Sequence, residues 1–154
     1  MRKYLCMVGL AALWISPMAS ATSQSMTRIQ SHHSVSITVK RLKQVIVAKG
    51  ATIFADINFA HGAKLVGMPL RPTQLLIFGN PRLGTQLLES RQTAGLYLPP
   101  MKILVWRDAH GQVWVGYRNP QKMVHESGVV GHVRLIRKMQ HLLGVFSQQA
   151  VGQP

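Results

Sequence analysis

The chain has 154 residues and one cysteine, and its 18 Lys and Arg stand against four Asp and Glu for a formal charge of +14. That length holds one domain able to bury a core, and a lone Cys6 excludes both a disulfide framework and a thiolate metal cluster. Four acids leave little material for paired-carboxylate catalysis, while the basic excess admits anionic ligands, polyanions and anionic surfaces as partners.

Residues 1–21 read as a secretory leader. Arg2 and Lys3 make a basic start, Pro17 breaks the apolar run from Tyr4 to Ile15, and Ala19-Ser20-Ala21 has the small-x-small pattern of a cleavage site. The run is shorter than the about 20 residues a bilayer span needs. The expectation is a periplasmic or secreted protein cleaved near Ala21. Residues 22–33 then read as a flexible polar lead-in, 34–147 as a single domain and 148–154 as a loose tail.

Within the domain, Val35, Ile37 and Val39 alternate with Ser34, Ser36 and Thr38, which predicts a half-buried strand. Thr38 then caps a helix whose stripe is Val39, Leu42, Val45 and Ile46, with Lys40, Arg41, Lys43 and Gln44 on the wet face and Gly50 as the stop. Ala51 to Ile57 alternates as a second strand, and Asn58 to Gly67 forms a short helix. Gln74 to Phe78 contains the continuous apolar run Leu75-Leu76-Ile77-Phe78, which predicts a strand covered on both faces. Gly79 turns the chain, and Asn80-Pro81 opens a helix through Leu83, Leu87 and Leu88 to about Ser90. Thr93 to Pro100 reads as extended. Met101–Arg107 and Gln112–Arg118 form a hairpin closed by Asp108-Ala109-His110-Gly111. Asn119-Pro120 opens another short helix to Ser127. The last helix spans Val129 to Ser147 and turns Val129, Val133, Ile136, Met139, Leu142 and Leu143 to the core. The fold class expected from this order is α+β, a two-layer sandwich in which a mainly antiparallel sheet is backed by helices.

Two stretches resemble a known family. Leu70-Arg-Pro-Thr-Gln-Leu-Leu-Ile-Phe-Gly-Asn-Pro-Arg-Leu-Gly-Thr85 and Lys102-Ile-Leu-Val-Trp-Arg-Asp-Ala-His-Gly-Gln-Val-Trp-Val-Gly-Tyr117 are similar to the domain of unknown function family 302, with the segments in that family's order from about Ser34 to Gly128. The resemblance implies a compact α/β sandwich that tends to dimerise and is often exported, with no established activity. This chain departs from the family pattern at Asn58-Phe59, where an Asp-His pair is usual, and at Tyr97-Leu98-Pro99, where an Asp precedes Leu-Pro. Both departures remove acids or a histidine that a proton-transfer or metal role would use.

Candidate ligand-binding residues are Lys64, Arg71, Gly79, Asn80, Arg82, Thr85, Trp106 and Tyr117. A helix N-terminus with Lys64, Arg71 or Arg82 nearby would attract an anion, and Trp106 and Tyr117 could line a pocket or stack on bases. Capping alone explains much of the Gly79–Thr85 turn, because Asn119-Pro120 uses the same device. The seven histidines have no metal-ligand spacing: His132 and His141 fall on opposite helix faces, and His125-Glu126 lacks the second histidine of a metalloprotease motif. No metal, cofactor or catalytic set is expected. The scarcity of carboxylates predicts acid tolerance, since few native pairs can be lost by protonation. The expected function is a non-catalytic small-molecule, anion or protein-interaction module, homodimeric, with an anionic or apolar ligand and no run of cations suited to nucleic acid. The alternatives are a polyanion- or membrane-surface-binding protein, with Arg134, Arg137 and Lys138 of the last helix as one membrane-facing set, and an enzyme using His61 or Tyr117 as acid or base.

Overall fold

A computed structural model of the chain describes residues 26–152. The expected leader and cleavage site lie outside the described residues. Five strands form one antiparallel sheet in the order β1-β5-β4-β3-β2. They are β1 (Met26–Ser31), β2 (Thr52–Asn58), β3 (Thr73–Gly79), β4 (Met101–Arg107) and β5 (Val113–Arg118). The helices are α1 (Val35–Ala48), α2 (Phe59–Leu65), α3 (Pro81–Ser90), α4 (Pro120–Ser127) and α5 (Val133–Val151), with a 3-10 turn over Gln92–Leu96. The expected α+β two-layer class is the observed one.

The core lies between one face of the sheet and the helices. Strand residues alternate between faces, so the register aligns Phe78 with Met101 and Leu76 with Ile103, and all four are buried. Leu42 and Ile46 of α1 and Met139, Leu143 and Phe146 of α5 close over them, with Phe78 and Phe146 meeting edge to face at 5.7 Å between centroids. The other sheet face carries no layer of helices. Its rows run Ile57-Leu75-Leu104-Gly116, Ala55-Ile77-Lys102 and Thr73-Trp106-Trp114. The expectation that β3 is covered on both faces is therefore corrected: Leu75 and Ile77 look out from the open face and are only half-buried.

Other expectations change as well. Ser34–Val39 is not a strand but the start of α1. Ser34, rather than Thr38, is the cap, and its Oγ accepts from the Ile37 N–H at 3.4 Å. Val35, Thr38, Val39, Leu42 and Ile46 are buried at helical spacing while Ile37 is 49% exposed, so period 3.6 wins over period 2. The missing strand comes from the supposed lead-in: Met26–Ser31 pairs with β5 along its whole length. Only one large apolar residue, Ile29, faces inward from it, which is why hydropathy gives no signal there. Thr93–Pro100 is not extended: Thr93–Leu96 belongs to the 3-10 turn and residues 97–100 form turns and bends. The last helix starts at Val133, because Gly131 and His132 hold positive φ just before it, and it ends at Val151. The shift leaves Val133 55% exposed and buries Leu135. The supposed tail is inside the fold too: Ala150 and Val151 are buried, and the Arg41 guanidinium donates to the Gln149 and Ala150 carbonyls at 3.1 Å. Basic groups at a helix C-terminus satisfy the last carbonyls and complement the dipole.

Candidate functional site

The turn from β3 into α3 is built as capping chemistry demands. Asn80 Oδ1 accepts from the Arg82 N–H at 3.0 Å, and its amide donates to the Gly50 carbonyl at 3.3 Å, tying α3 to the end of α1. Pro81 occupies the first helical turn, where its missing N–H costs nothing. The two glycines here are small because neighbours approach them closely. A Cβ at Gly79 would lie 3.1 Å from the Phe54 ring, and one at Gly84 3.1 Å from Pro99 Cγ.

Between these elements lies a cavity of about 390 Å³. Phe54, Leu83, Leu88, Pro99, Pro100, Met101 and Met139 make it apolar, and Asn80 and Thr85 stand among its lining residues with Gly79 and Gly84. Three of the eight sequence candidates, Gly79, Asn80 and Thr85, therefore share one site. Arg82 is exposed on α3 and does not line it. The apolar walls went unnoticed in the sequence because they come from β2, α3, the Pro pair and α5, and Met139 reads as ordinary core. The Pro99-Pro100 pair was the one local signal.

Lys64 and Arg71 sit at the other end of β3, whose seven residues put about 20 Å between the two ends. Lys64 lines a second cleft of about 390 Å³ with His61, Arg107, Ser34, Ser36, Asn58, Thr73 and Gln74, and no carboxylate is among its lining residues. Arg71 stands beside it and donates from Nε to the Arg107 carbonyl at 3.3 Å. Gln74 and Lys43 both hydrogen-bond Asp56 just behind this cleft. Partial burial pushes the Asp56 carboxyl up, but those two hydrogen bonds and the Lys43 charge outweigh it and hold the group below its ordinary 3.8. Arg107 was missed as a site residue; only the pairing of Thr73 with Trp106 brings the end of β4 beside α2.

Trp106 lies on the open sheet face. A Cβ at Gly116 would meet its ring at 2.8 Å, so this glycine makes room for the indole. Tyr117 faces the other way and is buried in the core. The eight candidates thus divide among two ends of the sheet and its two faces. Among the described residues no group of three or more His, Cys, Asp or Glu could hold a metal ion.

An antiparallel sheet with helices on one face, a bare apolar face opposite and a pocket under one helix defines a two-layer α+β domain. The chain belongs to the DUF302 family: the domain of unknown function DUF302 matches residues 27–144. The crystal structure of an uncharacterized conserved DUF302 protein from Bacillus stearothermophilus has the same fold, with a TM-score of 0.74 at 16% identity over 82% of this chain and 98% of that one. Curated relatives are fluoride-specific ion channels FluC 1 of Brucella suis biovar 1 (strain 1330) and Brucella abortus biovar 1 (strain 9-941). Each is 35% identical over 138 residues, which is 88% of this chain and 54% and 50% of theirs. The chain spans about half the length of these relatives.

Proposed function

We propose that this chain is an exported, non-catalytic binding domain that takes a small, mainly apolar molecule in the cavity between β2, α3 and α5. The observation that carries this reading is the cavity itself. Its about 390 Å³ falls in the range of small-molecule sites, with apolar walls and a few polar groups at Asn80 and Thr85 to orient a ligand. The ligand is more apolar than an anion at a helix N-terminus would be, because Asn80 already occupies the donor that an anion would use. Two copies meet through the bare sheet face, a reading supported by its row of Ile57, Leu75 and Leu104 and its neighbour Ile77. An acidic compartment suits a domain with two ion pairs among its described residues.

The test is binding of the apolar fluorophore 1-anilinonaphthalene-8-sulfonate to the chain from Thr22 onward, and native mass spectrometry of protein drawn from its own compartment. Saturable one-to-one binding that disappears in Thr85→Trp, where an indole fills the mouth, supports the reading. Binding that is absent, or unaltered by Thr85→Trp, removes it.

A second reading rests on the similarity of this chain to about half the length of fluoride-specific ion channels. Among the described residues no helix is long and apolar enough to cross a membrane. On this reading the domain works as an extramembrane companion to a fluoride channel. Deleting its gene should then raise fluoride sensitivity; unchanged growth in fluoride would remove the idea.

A further inference from the structure

The connection from α2 to β3 runs Leu65-Val-Gly-Met-Pro-Leu70, and its large side chains point away from the protein. Leu65, Val66 and Met68 are 74%, 71% and 65% exposed. The backbone is not loose there. The Val66 and Met68 N–H groups donate to the Ala63 carbonyl at 3.1 and 2.9 Å, and the Gly67 N–H donates to the Lys64 carbonyl at 3.1 Å. Gly67 takes the positive φ of 73° that closes this helix end. An ordered turn thus holds apolar groups outward, with Lys64 on one flank and Arg71 on the other. The cleft beside it adds Arg107 and His61 and contributes no carboxylate.

We propose that this turn and the basic cleft beside it form one surface that seats the domain on an anionic lipid bilayer. Leu65, Val66 and Met68 enter the boundary between headgroups and acyl chains, and Lys64, Arg71 and Arg107 receive headgroup phosphates. Shallow apolar insertion combined with juxtaposed cations is the physics of interfacial membrane binding. Charge complementarity selects this occupant over a second copy of the chain. The whole sequence has four acids. Asp56 is held by Lys43, Asp108 is folded into its own hairpin turn and Glu126 pairs with Arg118, which leaves Glu89 to answer at least three cations. A lipid surface supplies phosphates without limit. This site lies at the opposite end of β3 from the apolar cavity, so the two readings stand or fall separately.

The test uses the chain from Thr22 onward, which contains every element described above and lacks the apolar leader. It should sediment with phosphatidylglycerol vesicles and not with phosphatidylcholine vesicles. The indole emission of Met68→Trp should shift to the blue on binding. Val66→Asp with Met68→Asp touches no core residue and should keep the thermal transition, yet lower vesicle affinity by about tenfold or more. Lys64→Ala and Arg107→Ala should each lower it by about fivefold. Three results would overturn the proposal. One is no preference for phosphatidylglycerol, or a preference that Val66→Asp with Met68→Asp leaves intact, which would assign binding to diffuse charge. Another is tight binding of inorganic phosphate without vesicles that prevents sedimentation, which would make the cleft a site for a soluble anion. The third is conversion of a dimer to a monomer by the aspartate pair, which would give the turn to a second copy.

Discussion

Asp108 illustrates how much one side chain can organise. Its Oδ1 accepts from the N–H groups of His110 and Gln112, each at 2.9 Å, and its Oδ2 accepts from the Trp114 indole at 2.8 Å. The Arg28 guanidinium lies 5.1 Å from the centre of the same indole. The turn use of Asp108 was visible from the sequence; the indole bond was not, because it depends on which face of β5 Trp114 occupies. The Trp114 hydrogen bond, with the two backbone N–H donors and the nearby His110, holds the carboxyl below its ordinary 3.8 against partial desolvation. Asp108→Asn keeps an oxygen for the turn but loses the indole acceptor. We expect it to change Trp114 fluorescence with a small fall in melting temperature, whereas Asp108→Ala should lower melting further by also freeing the two N–H groups. Equal melting temperatures for the two variants would contradict this division of roles. Ser31 has a comparable buried role. Its Oγ lies 2.7 Å from Thr38 Oγ1, which donates to the Ser34 carbonyl at 2.9 Å, and it accepts the His33 N–H at 3.2 Å. The set closes when Ser31 gives its proton to Thr38.

At the scale of elements, the two ends of the described chain hold each other. The His32 N–H donates to the Val151 carbonyl at 3.0 Å, and Arg41 reaches from α1 to the carbonyls before it. The last turn of α5 is therefore part of the domain that β1 completes. Ending the chain at Ser147 should cost about 2–4 kcal/mol, from the lost burial of Ala150 and Val151. Urea unfolding would measure it; a change below about 0.5 kcal/mol, typical of surface residues, would show that the last turn is dispensable. Local propensity told the middle of the chain well. The caps at Asn80 and Asn119 and the hairpin turn are written in adjacent residues and needed no tertiary knowledge. The ends escape a local reading because β1 has one large inward apolar residue, Ile29, and the last turn of α5 adds Ala150 and Val151, segments that become structured only by pairing and packing.

At the scale of the molecule, the expected acid response follows from how few carboxylates the chain has. Asp56 and Asp108 are held below 3.8 in the fold. Their stabilisation is complete above 3.8 and is lost as pH falls through their lowered folded values. Few other carboxylates exist, so the thermal midpoint should stay nearly flat from neutral pH to about 4 and fall only below that. A steep decline between pH 7 and 5, followed by calorimetry, would show that the basic composition serves another purpose. The proposed pairing of two copies through the bare face is tested by Leu104→Glu. A charge in the centre of that apolar row should yield monomers by sedimentation, while the helix-side core keeps its circular dichroism. Dimers that persist unchanged would move the interface elsewhere.

What the sequence determined by itself is local: an α+β order of elements, the capped turns, the hairpin and the motifs that mark the family. Each rests on residues a few positions apart, where capping and periodicity act. Tertiary structure decided the rest. It made a strand of Met26–Ser31, left one sheet face bare, and set Arg71 and Lys64 at the far end of β3 from Asn80. It also gathered Phe54, Leu88, Pro99 and Met139 around a single cavity. Those outcomes depend on pairing register and on which faces meet, and both are set by contacts between residues far apart in the chain.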